Sequence, residues 1–103
     1  MIVVYSKNSV PIRITLERWA HIIRRHPEME NQRGKVEETV SNPDFVQQGD
    51  FGELLAVRFY PKTPLTKKHL VVAYKEEAKQ EGFVLTAYFT SSPSTKRQVI
   101  WKR

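Results

Sequence analysis

The chain has 103 residues, a net charge of +6 and a pI near 9.8, with 40% hydrophobic and 11% aromatic residues and no cysteine. Disulfides and cysteine-held zinc or iron–sulfur centres are thereby excluded. The composition is that of a packed globule rather than a disordered chain, and the length predicts one domain over residues 1–103.

Ile2 to Tyr5 is β-branched and aromatic and predicts a short strand. The apolar run from Met1 to Tyr5 is too short for a signal peptide, and no stretch reaches the ~20 apolar residues of a membrane span. A cytoplasmic protein with no membrane partner is the expectation. A turn over 6–11 leads to a second short strand at Ile12 to Ile14.

A helix is predicted over 15–26. Thr15 is a good N-cap, and Leu16, Trp19, Ala20 and Ile23 recur at helical spacing. Pro27 stops it, because the residue before a proline avoids the α conformation. After a polar connection over 28–34, Val36 and Val40 mark a second helix over 35–41, ended by Asn42-Pro43. The remainder reads as strands. A short one is predicted at Asp44 to Gln48, then three strong ones at Glu53 to Tyr60, His69 to Lys75 and Phe83 to Thr90, and a last one at Gln98 to Trp101. The loops between neighbouring strands are too short for βαβ crossovers, which predicts antiparallel pairing.

Charge is unevenly spread. Residues 1–26 carry five basic side chains and one acidic, 27–53 carry two basic and seven acidic, and 54–75 carry five basic and none acidic. The pattern suits a basic working face, with an acidic flank, that meets a polyanion such as RNA.

On the first helix, His26 falls on the apolar face beyond Ile23, while His21 falls on the opposite side near Arg18 and Arg25. Two readings stand for His26: a packed histidine at the helix C-terminus, where a cation is favoured by the dipole, or a catalytic group. Strand alternation assigns Phe83, Leu85, Ala87 and Phe89 to one face. The other face then shows Arg58, Tyr60, Thr86 and Tyr88, with Tyr74 or Lys75, as candidate phosphate and base ligands. A residue on the helix side of the sheet meets one on the far face only at an edge or through twist.

The chain has two aspartates, and its nine glutamates fall mostly in loops or on the solvent side of helices. No converging carboxylate set for Mg²⁺ can be assembled, and HExxH, GxxxxGK[ST] and GxGxxG are absent. No metal and no small-molecule cofactor is expected. The remaining route on nucleic acid is attack by the RNA's own 2′-hydroxyl on the adjacent phosphate. This needs a base, an acid and cationic or hydrogen-bond donors for the developing charge.

The stretches ITLERWAHIIRRHPEM, VEETVSNPDFV, LLAVRFYP, LVVAYK and GFVLTAYFT follow in that order over roughly residues 13–90. In order and spacing they resemble the phage-associated branch of the barnase–EndoU–colicin–RelE-like (BECR) nucleases. That resemblance implies an α+β fold with N-terminal helices packed on a four- to five-stranded antiparallel sheet. It also implies metal-independent cleavage of RNA by a toxin or phage-derived enzyme, with an inhibitory partner such as an antitoxin or immunity protein. His21 and His26 match the helix motif, Thr86 and Tyr88 the last-strand motif, and Arg58 a basic residue on a central strand.

The expected roles follow. His26 is general base or acid, and His21 is second choice. Arg58 and one of Arg24 or Arg25 hold the scissile phosphate. Tyr88 and Thr86 donate to it, and Lys75 and Tyr60 add RNA contacts. A non-catalytic RNA- or protein-binding module on the same fold is the alternative reading, and a structural phage component a third.

Overall fold

Ile2–Tyr5 (β1) and Pro11–Ile14 (β2) form an antiparallel hairpin in the computed structural model, which describes residues 2–103. Thr15 then caps Leu16–Arg25 (α1), its Oγ1 accepting the Arg18 N–H at 3.0 Å. His26 closes the helix by donating its N–H to the Ile22 carbonyl at 2.7 Å. Pro27–Met29 makes one 3₁₀ turn, and Arg33–Ser41 (α2) follows.

The rest is sheet: Phe45–Gln48 (β3), Leu54–Phe59 (β4), His69–Ala78 (β5), Glu81–Thr90 (β6) and Val99–Lys102 (β7). The polar 76–82 segment, left between two expected strands, belongs largely to the strands themselves. β5 and β6 run through it and meet at a tight hairpin around Lys79 and Gln80.

The α+β class holds, but the sheet differs from the expectation of four or five antiparallel strands. Among the described residues it has seven strands in the order β1-β2-β6-β5-β4-β3-β7, and β2 pairs with β6 in parallel through Ile12–Gly82 and Arg13–Phe83. Loop length constrains only strands that are consecutive in sequence, and β2 is separated from β6 by both helices and three strands. Gly82 makes the parallel approach feasible. A Cβ there would lie 2.5 Å from Ile12 Cδ1 and 2.6 Å from the Lys75 carbonyl oxygen.

The helices cover one face. Ile12, Ile14, Leu70, Val72, Val84, Ala87 and Phe89 from the strands meet Ile22, Met29, Val36 and Val40 from the helical segment. Burying each of these side chains larger than alanine stabilises by about 1.5–3 kcal/mol before entropy is counted.

The opposite face carries a smaller cluster of Leu55, Val57, Val71 and Ala73. Residues 91–98 cross this face to carry the chain from β6 to β7 at the far edge, and the Ser94 carbonyl accepts from Gln47 Nε2 at 2.7 Å. At the other end of the chain, Lys7 Nζ sits 4.6 Å from the Trp101 ring centroid, so the turn after β1 reaches the last strand.

The assignment of strand faces needs two corrections. On β6, Ala73 pairs with Thr86 but Tyr74 pairs with Val84, so Leu85 is an extra residue and the alternation flips there. Val84, Ala87 and Phe89 lie under the helices, and Phe83, Thr86 and Tyr88 on the open side. On β4 the helix-covered residues are Leu54, Ala56 and Arg58, with Tyr60 beyond the strand end. Tyr74 also lies on the covered side, so Arg58, Tyr60 and Tyr74 do not share the face of Thr86 and Tyr88.

The buried stripe of α1 is also rotated from the expected one. Ile22 is fully buried and Trp19 half-buried, while Leu16 is 69% exposed.

Candidate functional site

β2 pairs with β6 only as far as Phe83, so residues 84–90 of β6 have no strand on that side. Helix α1, which continues directly from β2, packs along this free edge instead. The Arg18 Nη1 reaches the Leu85 carbonyl at 3.4 Å, a long hydrogen bond that the sheet itself would otherwise have used.

A helix at an edge touches both faces of a sheet, and this resolves how His26 can meet the open face. The His26 and Tyr88 ring centroids are 5.8 Å apart, with planes tilted by 31°. The His26 side chain is one-third exposed, and its Nδ1 lies 3.8 Å from Glu28 Oε2, across Pro27. At that distance the Glu28 carboxylate is a neighbour of the imidazole and not its hydrogen-bond partner. Thr86 stands two residues before Tyr88 on the same open face. Arg18, Thr86, Tyr88 and His26 thus form one line along the β6 edge, offering a cation, two hydroxyls and an imidazole.

The other candidates lie elsewhere. Arg58 is on the helix-covered face. Its Nη1 donates to the Asn42 carbonyl at 2.6 Å, and its Nε lies 3.6 Å from Glu38 Oε1. Tyr60 is buried beside it and donates to Glu38 Oε1 at 2.9 Å. Burial pushes its phenol up to about 12, helped by the neighbouring Glu38 carboxylate. This pair fastens α2 to β4 and is closed off from the open face by the sheet. Burial also raises Tyr74 on the same side.

His21 faces away from His26, in a shallow surface cleft lined by Thr15, Glu17, Arg18, Ala20 and Arg24. Arg24 and Arg25 are exposed in the last turn of α1. Lys75 shares the face of Tyr88 but sits opposite Phe83, with its ammonium 3.8 Å from Glu77. Of the sequence candidates, then, the structure brings His26, Tyr88 and Thr86 together and leaves Arg58, Tyr60, His21 and Lys75 apart.

Sequence reasoning missed Arg18 and Glu28. Arg18 lies on the same helix face as Ile22, one turn earlier, and Glu28 is two residues from His26. Spacing alone offers that signal, but the edge position of α1 gives it meaning.

Among the described residues, no three His, Asp or Glu side chains come together as a metal site, and no helix is long and apolar enough to cross a membrane. Comparison with family models, curated proteins and solved structures finds no match.

Proposed function

We propose that this chain is an endoribonuclease that cleaves RNA through the substrate's own 2′-hydroxyl. The apposition of His26 and Tyr88 at the free edge of β6 carries the proposal. The basic charge of the chain and the sequence resemblance to BECR nucleases support it.

In this reading a single strand lies along the β6 edge. His26 takes the proton from the 2′-hydroxyl, whose oxygen attacks the adjacent phosphorus. The 5′-oxygen leaves with a proton donated by Tyr88, or the two residues exchange roles. The products are a 2′,3′-cyclic phosphate and a 5′-hydroxyl. Arg18 takes the phosphate-holding part first given to Arg58, because its guanidinium already reaches the β6 edge. Thr86 adds a donor to the developing phosphorane charge, and Arg24 or Arg25 attracts the flanking backbone.

The test uses an RNA oligonucleotide in EDTA and its counterpart with one 2′-deoxy position. Cleavage that leaves a cyclic phosphate and stops at the deoxy position is expected. Cleavage that tolerates the deoxy position contradicts the mechanism. RNA binding without any cleavage makes the chain an RNA-binding module instead.

A further inference from the structure

A second cluster lies on the open face, beyond the β6 edge. Thr90 pairs with His69, and His69 with Phe59, so the three form a row across β6, β5 and β4. The row is one step from Tyr88, which pairs with Val71 on the same face. The Phe59 ring meets His69 edge-on, with centroids 5.5 Å apart, and Phe59 is 49% exposed. His69 Nδ1 is buried without a partner. Nε2 is therefore the ring nitrogen left to meet a ligand.

Beside this row runs a cleft of about 380 Å³, lined in part by Phe45, His69, Pro93 and Lys102. Its size suits a small planar group.

The surrounding charge favours a polyanion. Phe59 and His69 are joined by a loop that holds Lys62, Lys67 and Lys68, and no acidic residue occurs between 54 and 75. Among the described residues, the carboxylate hydrogen-bonded to the Phe59 backbone is that of Asp44. It accepts the Phe59 N–H at 2.8 Å and lies 3.5 Å from the Arg103 guanidinium, so its charge is already answered.

We infer that this row is a nucleobase subsite. An unpaired base of single-stranded RNA stacks on the Phe59 ring with His69 Nε2 at its edge. Its flanking phosphates lie toward the loop lysines and Lys102. The inference rests on RNA being the ligand proposed above. It adds a reason for the strand to cross the open face rather than follow the β6 edge alone. Stacking on an aromatic side chain accepts any base, so the subsite confers a preference for single strands more than for sequence.

The test reads binding apart from cleavage, by fluorescence anisotropy with a 2′-O-methylated single-stranded oligonucleotide, which lacks the nucleophile. Phe59→Leu keeps apolar bulk at a half-exposed position but removes the ring, and Phe59→Tyr keeps the ring. Loss of one stacked base predicts roughly 5- to 150-fold weaker binding for Phe59→Leu, with Phe59→Tyr near wild type. Abasic nucleotides in the probe should weaken wild-type binding and leave Phe59→Leu little changed. Equal affinity of wild type and a folded Phe59→Leu, indifference to abasic nucleotides, or no binding at all overturns the subsite. Cleavage of unmodified RNA by the wild type is scored in parallel. Cleavage without a Phe59 effect on affinity removes the subsite and leaves the nuclease. Base-dependent binding without cleavage does the reverse.

Discussion

His26 closes a helix and Tyr88 points from the open face of a sheet, yet their ring centroids are 5.8 Å apart. The meeting depends on β2 ending early, because a longer β2 would occupy the edge where α1 now lies. If these two groups move the protons, their single variants should differ in kind. Tyr88→Phe keeps the ring beside His26 and removes only the hydroxyl. We expect it to lower the cleavage rate by about 10²–10⁴-fold with an unchanged melting midpoint. Single-turnover kinetics and a thermal melt on the same preparation check this.

The proposed mechanism gives Arg18 the phosphate-holding part expected of Arg58. Arg18→Ala should lower cleavage by about tenfold or more, the worth of one charge-assisted contact to phosphate, with a small effect on stability. Arg58→Ala should leave cleavage near wild type. It should lower stability by about 1–3 kcal/mol, because Glu38 and the Asn42 carbonyl lose their shared partner. Parallel activity and denaturant titrations separate the two; a swap of their effects would restore Arg58 to the site.

Gly82→Ala tests the parallel β2–β6 pairing. Its added methyl must displace Ile12 or the Lys75 backbone, both within 2.6 Å of the new carbon. A loss of about 1–3 kcal/mol is expected by chemical denaturation. A neutral result would mean that β2 does not press against β6 as described.

Tyr60 makes an alkaline prediction. Its phenol ionises near pH 10 in the unfolded chain and is pushed up to about 12 in the fold, chiefly by burial. Below pH 10 both states keep the proton and the full stabilisation is present. Between about 10 and 12 the unfolded state releases the proton first, so stability falls as pH rises. Tyr60→Phe should show less of that alkaline loss, though it starts lower because the hydrogen bond to Glu38 is gone. Equilibrium unfolding at a series of alkaline pH values measures the slope.

Local pattern was a sound guide to the helices and strong strands. Thr15 and Pro27 bound α1 as their chemistry dictates, and Leu54 to Phe59 and Phe83 to Thr90 are strands. What failed was non-local. The bulge at Leu85 reverses which residues of β6 face the helices, and a two-fold alternation has no way to announce one extra residue. The side on which Arg58 lies depends on which β4 face α2 covers, and an apolar set could be drawn on either face of LLAVRFY. His26 and Tyr88 were both visible as candidates, since their residue types and position in the motifs marked them. Their meeting was not, because it requires a parallel pairing between strands nearly seventy residues apart. Arg18 was hidden for the same reason: without the free β6 edge it reads as one more surface arginine.

The proposed function has His26 and Tyr88 cut RNA. It is tested most directly by incubating wild type and the His26→Ala/Tyr88→Phe double variant with total RNA in EDTA, each first shown to be folded by its melt. Cleavage to cyclic-phosphate ends by the wild type and none by the folded double variant is expected. Equal cleavage by both would contradict the site, and no cleavage by the wild type across several classes of RNA would contradict the function.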